Sequence, residues 1–164
     1  MLIGIDPHLS GDLLAILRDM GHGDRICLAD RNFPGPAMAD AGKIPLLRTD
    51  LDTVAIGRAI LSVLPLDGFV RHPVMRMEIS GAPEEMNAGH QGFLAMMHEV
   101  AGRHWTMGSI ERFAFYPEST KCRAIVWTLD DRAYANFILT KGVIAANGSV
   151  AVPGPAERRS LGLD

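Results

Sequence analysis

Met20-Gly21-His22-Gly23-Asp24-Arg25-Ile26-Cys27-Leu28-Ala29-Asp30 is the stretch whose reading decides the fold. Arg25 to Ala29 reads as a short apolar strand, with Ile26 and Leu28 on one face. Upstream, Ser10 is placed to cap a helix carrying Leu13, Leu14, Ile16, Leu17 and Met20 at helical spacing, with Asp12 in its first turn. Gly21 stands where a glycine C′ residue would end that helix. The unit is therefore helix, glycine turn, strand, carboxylate. Asp30 falls at the carboxyl end of the strand, the end at which α/β sheets bind ligands.

The same alternation continues downstream. Residues 31–43 hold Pro34, Gly35, Pro36 and Gly42 and read as a loop. Lys43 to Arg48 fits a second strand. Asp50 opens a second helix with Val54, Ala55, Ala59, Ile60 and Leu61, and Pro65 follows its end. Val74 to Ile79 alternates as a strand. Pro83, Glu84 and Glu85 suit the opening of a third helix, with Met86, Phe93, Leu94, Met97 and Val100 as its apolar stripe. Ile110 to Tyr116 fits strand and helix equally, and Pro117 limits it. Ala124 to Thr128 is rich in strand-forming residues, and Phe137 to Val143 is another strand. Strands alternating with helices predict an α/β fold: a single layered domain with a largely parallel sheet flanked by helices. From Ala145 the chain is rich in Gly, Pro and Ala, so residues 145–164 are expected to be a poorly ordered C-terminal extension to a domain spanning 1–144.

The bulk numbers agree with one globular domain. The chain has 164 residues, 48% of them apolar and 21% charged. That length lets one core bury roughly 70% of the surface exposed in the unfolded chain. A net charge of −3 argues against a general nucleic-acid binder, which would show a basic face. Apolar runs such as Ala59 to Leu66 fall far short of the ~20 residues that cross a bilayer. Met1 to Asp6 does not read as a signal peptide. Cys27 and Cys122 have no CxxC spacing, which favours free thiols in a reducing, cytoplasmic setting.

His22 is the first chemical candidate. An imidazole titrates near neutrality, with a reference pKa near 6.5, and its flanking glycines leave room for a ligand. An exposed loop histidine beside a helix cap is the plainer reading of the spacing taken alone. Asp24 can pair with His22 or face water. Asp30 can accept bonds from ligand hydroxyls or bond its own turn. His72, His90, His98 and His104 match no zinc spacing and read as surface or core residues. Neither a phosphate-binding loop nor a nucleophile elbow is present. Arg112-Phe113-Ala114-Phe115-Tyr116 and Tyr134-Ala135-Asn136 combine guanidinium, amide and phenol groups that can fix several hydroxyls of a polar ligand, with aromatic rings for its apolar C–H face. Alternatively, the phenylalanines are core and Arg112 is a surface charge.

In order and spacing, these pieces resemble the ribose pyranase / L-fucose mutarotase family: Ser10 with Leu13-Leu14, Met20 to Asp24, Asp30 with Phe33-Pro34, Arg112 to Tyr116, Ala124-Ile125-Val126, and Tyr134-x-Asn136 with Lys141-Gly142-Val143. The resemblance covers roughly residues 1–144. It implies a ring-forming single cytoplasmic α/β domain, without metal or organic cofactor, that interconverts the anomers or ring forms of free monosaccharides. It implies homo-oligomeric rings, commonly decamers of two stacked pentamers, with active sites between neighbouring subunits. Residue by residue, it makes His22 the catalytic acid, and Asp30, Arg112, Tyr116, Tyr134, Ala135 (through its backbone) and Asn136 the sugar contacts. The ribose branch typically carries a histidine where Arg112 stands, so the resemblance favours an L-fucose mutarotase over a D-ribose pyranase. A non-catalytic sugar-binding or regulatory module is the alternative of another class, and a nucleotide-binding domain is disfavoured by the missing phosphate loop. Arg31-Asn32 and Ala135 depart from the fucose-branch pattern; both bear on sugar identity more than on reaction type.

Overall fold

The computed structural model describes residues 2–163; Met1 and Asp164 lie outside it. Ser10 accepts from the Leu13 N–H at 3.2 Å and starts α1 (Gly11–Asp19), whose Leu13 and Leu17 are buried. The chain then enters β1 (Arg25–Ala29). Gly23, at φ 81°, takes the left-handed conformation in the intervening turn, while Met20 caps the helix in extended conformation. The glycine requirement therefore falls two residues after the expected C′ position, where the chain reverses into the strand.

Residues 31–43 are not the loop their prolines and glycines suggest. They hold α2 (Gly35–Gly42), with a proline in the first turn and Lys43 closing the helix at φ 52°. Proline in the first turn loses no helical hydrogen bond, which is why it starts this helix rather than breaking it. β2 (Leu46–Arg48) and α3 (Thr53–Leu61) follow, with the Asp52 carboxylate accepting from the Ala55 N–H. β3 (Val74–Met77) leads to α4 (Ala88–Val100). α4 starts five residues later than Pro83 implies, because the Asn87 side chain accepts from the His90 N–H and supplies the cap. The ambiguous 110–116 segment divides at Glu111. β4 (Met107–Ile110) ends there, and α5 (Arg112–Ser119) begins with the Glu111 carboxylate accepting from the Ala114 N–H. β5 (Ile125–Trp127) and β6 (Phe137–Thr140) complete the sheet.

The strand order is β2-β5-β1-β6-β3-β4. β1 pairs parallel with β5, β5 with β2, and β3 with β4; β6 runs antiparallel between β1 and β3. The sheet is thus largely parallel, with one reversed strand near its centre. Helices cover both faces. Ile26, Leu28, Phe137 and Leu139 face a core with α1, α3 and α4; Cys27, Ala29 and Ile138 face a second core with Ala39 and Phe115 of α2 and α5. Period-two alternation therefore places successive β1 side chains in different cores, and both faces are dry. After Ile144 the chain folds back, with the Ala151 N–H donating to the Val143 carbonyl at 2.8 Å. Pro153 is buried, and residues 155–160 form α6 (Pro155–Ser160).

Candidate active site

Because β6 alone runs backwards, its first residue lies at the same edge as the last residues of β1 and β3. Asp30 leaves β1, Met77 ends β3, Arg112 follows β4, and Asn136 precedes β6. These four, with Asn32, Phe33, Tyr116, Ala133 and Tyr134, line a cavity of about 200 Å³.

Asp30 is 3% exposed and is held on several sides. Its backbone N–H donates to Asn136 Oδ1 at 2.8 Å, while Asn136 Nδ2 donates to Asp30 Oδ2 at 2.8 Å. The Asn32 N–H donates to Asp30 Oδ1, and Trp127 Nε1 donates to the Asp30 carbonyl. Burial pushes the Asp30 carboxyl above its ordinary range, against the pull of the hydrogen bonds from Asn32 and Asn136. The reciprocal Asp30–Asn136 pair fixes one carboxylate and one amide beside each other, an acceptor and a donor group together. That suits adjacent hydroxyls, which both donate and accept.

The opposite wall is cationic and phenolic. Arg112 Nε donates to the Tyr116 hydroxyl at 3.3 Å, and the guanidinium lies 5.4 Å from the centre of the Phe113 ring. Hydrogen bonding to Tyr116 holds the Arg112 pKa above its usual value. Phe33 packs on Tyr116 with ring centres 5.6 Å apart. Phe115 is core, but Phe113 is 70% exposed. Tyr134 sits at φ 63°, a left-handed conformation rare for a bulky residue, and the neighbouring Ser80 draws its phenol pKa below the usual value. Ala135 is fully buried beneath this turn and contributes no pocket wall; its neighbour Ala133 does.

His22 is elsewhere. It lies before β1, whereas Asp30 lies after it, and a five-residue strand spans ~17 Å. The His22 turn is tied to the far end of β6. The Gly23 N–H donates to the Lys141 carbonyl at 2.9 Å, the Lys141 N–H donates to the Asp24 carbonyl at 2.8 Å, and the Lys141 ammonium donates to the carbonyls of Leu17 and Met20. Asp24 does not pair with His22; its carboxylate accepts from the Gly21 N–H at 2.8 Å. His22 Nε2 instead meets Asp67 Oδ1 at 3.0 Å, and its ring stands edge-on to Phe69 with centres 5.5 Å apart. The Asp67 carboxylate is 2% exposed and the His22 ring 48%. A buried carboxylate behind a half-exposed imidazole fixes the ring's tautomer and orientation. The chain therefore carries a polar cavity at one edge of the sheet and a His–Asp pair at the other.

The sequence reading missed Asp67, Met77 and Ser80, since none belongs to a recognisable string; Asn32, singled out there beside Asp30, does line the pocket, and Arg31 does not. None of the other histidines lines the pocket. His72 bonds Thr106, His98 bonds the Trp105 carbonyl, and His90 bonds the Tyr134 carbonyl. Among the described residues no group of three or more His, Cys, Asp or Glu could hold a metal ion.

Fold and pocket together define an α/β protein that presents a small polar cleft at the carboxyl ends of its strands. The family model for the RbsD / FucU transport protein family matches residues 3–144. Human (Homo sapiens) fucose mutarotase is 37% identical over 150 residues, covering 89% of this chain and 96% of that protein. The crystal structure of the fucose mutarotase in complex with L-fucose from Streptococcus pneumoniae superposes with a TM-score of 0.77 at 34% identity, covering 88% of this chain and all of that one (100%). FucU from Bifidobacterium longum superposes equally well, with a TM-score of 0.77 at 31% identity over 87% of this chain and 99% of its own. The chain belongs to the RbsD / FucU transport protein family.

Proposed function

We propose that this protein is an L-fucose mutarotase, an isomerase that interconverts the α and β anomers of L-fucose by acid–base ring opening. The observation that carries this reading is the Asp30–Asn136 pair facing Arg112 and two phenols in a cavity of about 200 Å³. That is a hydroxyl-binding surface with a cation placed against it, in a chain 37% identical to a named fucose mutarotase. Residues 1–144 carry the activity, and the setting is cytoplasmic, in keeping with two free, buried cysteines.

In this reading Asp30, Arg112, Tyr116, Tyr134 and Asn136 hold the sugar, while Ala135 shapes the turn from beneath. His22, oriented by Asp67, donates a proton to the ring oxygen as the bond between that oxygen and the anomeric carbon breaks, while the anomeric hydroxyl gives up its proton to Asp30, Tyr116 or water and becomes the aldehyde oxygen. The aldehyde rotates, and reclosure on its other face reverses both proton transfers. Arg112 stabilises oxygen as negative charge develops on it.

His22 and the pocket lie at opposite edges of one subunit, so the site is composite. His22 of one subunit completes the pocket of its neighbour in a homo-oligomeric ring, which we take to be a decamer. Phe113, exposed beside Arg112, supplies an apolar surface for that contact. D-ribose pyranase activity is the weaker alternative, because Arg112 occupies the position that distinguishes the two branches.

Magnetisation-exchange NMR on L-fucose, D-ribose and D-galactose tests the reading, since it detects anomer exchange at equilibrium. Exchange should be fastest for L-fucose. Binding of L-fucose without faster exchange would instead identify a sugar-binding module.

A further inference from the structure

The turn that carries Tyr134 and Asn136 is gripped from the opposite face of the sheet. Asn87 Nδ2 donates to the Ala133 carbonyl at 2.6 Å, and His90 Nε2 donates to the Tyr134 carbonyl at 2.8 Å. Both donors sit at the start of α4, and neither lines the pocket. The approach to α4 is itself tied down, because the buried Arg76 donates to the Pro83 carbonyl at 2.7 Å.

His90 is 0% exposed and stands edge-on to Phe137, ring centres 6.0 Å apart. A carbonyl brings no proton, so Nε2 carries it and Nδ1 is left as an acceptor. Nδ1 has no partner among the described residues. Burial also depresses the His90 pKa, which keeps the ring neutral. A half-satisfied imidazole is a poor choice for an apolar core. Its one favourable polar contact is with the peptide of Tyr134, the residue held at φ 63°. That same carbonyl accepts from the Asn136 N–H at 2.7 Å. A rotation of this peptide would therefore misplace Tyr134 and Asn136 together.

We propose that Asn87 and His90 are positioning residues for the sugar pocket: they clamp the Ala133 and Tyr134 carbonyls from α4, holding Tyr134 in its left-handed conformation so that its side chain and the Asn136 amide are set before the sugar arrives. The clamp rests on the sugar-site reading above and adds a mechanism of preorganisation to it.

Three variants separate the clamp from simple packing. His90→Phe keeps a ring and removes the donor; His90→Gln keeps a donor; Asn87→Ser keeps the cap on α4 and loses the reach to Ala133. The dissociation constant for L-fucose should rise about tenfold in H90F and several-fold in N87S, while exchange at saturating sugar falls by less than about threefold. H90Q should recover most of the lost affinity. A second readout needs no sugar. Glycine adopts the left-handed conformation unaided, so the fall in melting temperature caused by H90F, or by N87S if H90F does not fold, should be at least halved in a Tyr134→Gly background. Wild-type affinity in H90F and N87S, or the same melting loss in both backgrounds, overturns the clamp. If the wild-type protein neither binds nor exchanges L-fucose, the sugar reading fails, and the melting cycle still decides the clamp.

Discussion

At the scale of single residues, the pocket and the proposed proton donor make different demands on their surroundings. Asp30 must remain a carboxylate although it is buried, and hydrogen bonds from Asn32 and Asn136 oppose the burial that raises its pKa. Sugar affinity should therefore decline as pH falls through this raised pKa, starting above the ~3.9 of an unperturbed aspartate. The same shift acts on folding with the opposite sense. A carboxyl with a raised folded-state pKa contributes stability that is present below its unfolded pKa and lost as pH rises through the folded one. Calorimetric titration of L-fucose across acidic pH checks the first statement. His22, as the proposed proton donor, needs access to the sugar and an orienting partner instead, and its half-exposed ring is backed by the buried Asp67 carboxylate. His22→Ala should slow anomer exchange by about 10² to 10⁴ while leaving sugar binding nearly intact, the signature of a lost proton-transfer group. Unchanged exchange in that variant would remove His22 from the mechanism.

At the scale of elements, the site depends on how tightly helices are set against the sheet. Gly57 on α3 faces α4: a Cβ there would lie 2.6 Å from Phe93 Cε2 and 2.9 Å from the terminal methyl of Met96. Met96 can move, but Phe93 is stacked on Phe137 of β6 with ring centres 3.9 Å apart. Gly57→Ala should therefore destabilise by about 1–3 kcal/mol through overpacking, outweighing a helix-propensity gain of about 1 kcal/mol. Thermal melting should show the loss. A second tie joins α3 to the turn before the pocket. Asp130 accepts from the Thr53 N–H and hydroxyl, at 3.0 and 2.6 Å, and from Arg132. Burial pushes the Asp130 pKa up, but bonds from Arg132 and Thr53 outweigh it and leave the pKa at about 2. This depressed pKa contributes about 2 kcal/mol above the unfolded value near 4, and the contribution is lost as pH falls toward about 2. Wild-type protein should lose stability across that window more steeply than Asp130→Asn, which should be weaker at neutral pH. Denaturant titrations at several pH values measure both.

Helix existence was readable where a cap and an apolar stripe coincide, as in α1 with Ser10, Leu13 and Leu17. It was not readable in α2, where Pro and Gly suggested a loop, because proline's meaning depends on whether it falls in the first turn or the interior. α4 was placed early because Pro83-Glu84-Glu85 has N-terminal composition, while the cap that forms is Asn87. Local composition offers several possible starts, and tertiary contacts select one.

At the scale of the whole molecule, the proposed composite site would make assembly part of the chemistry. If His22 of one subunit serves the pocket of the next, two inactive variants should complement each other. Mixed rings refolded from His22→Ala and Asn136→Ala subunits would regain intact sites at about a quarter of the subunit contacts, given random heterologous assembly. Anomer exchange in the mixture, compared with either variant alone, measures this; no recovery in rings confirmed as mixed by mass spectrometry would place both half-sites in one subunit's reaction or in none. Sedimentation of the wild-type protein gives the ring size.

The sequence by itself determined the α/β class, the β1 strand, and the membership of His22, Asp30, Arg112, Tyr116, Tyr134 and Asn136 in recognisable local strings. Those strings carry their own chemistry, and glycine turns, caps and period-two apolarity act over a few residues. Only the tertiary structure decided which of them meet. The reversal of β6 brings Asn136 to Asp30 across 106 positions and sends Lys141 to the His22 turn. It also brings Asp67 to His22 across 45 positions, where no local signal marks a partner. Strand direction is settled by the packing of both sheet faces against helices, a sum over distant contacts that no single stretch of sequence contains.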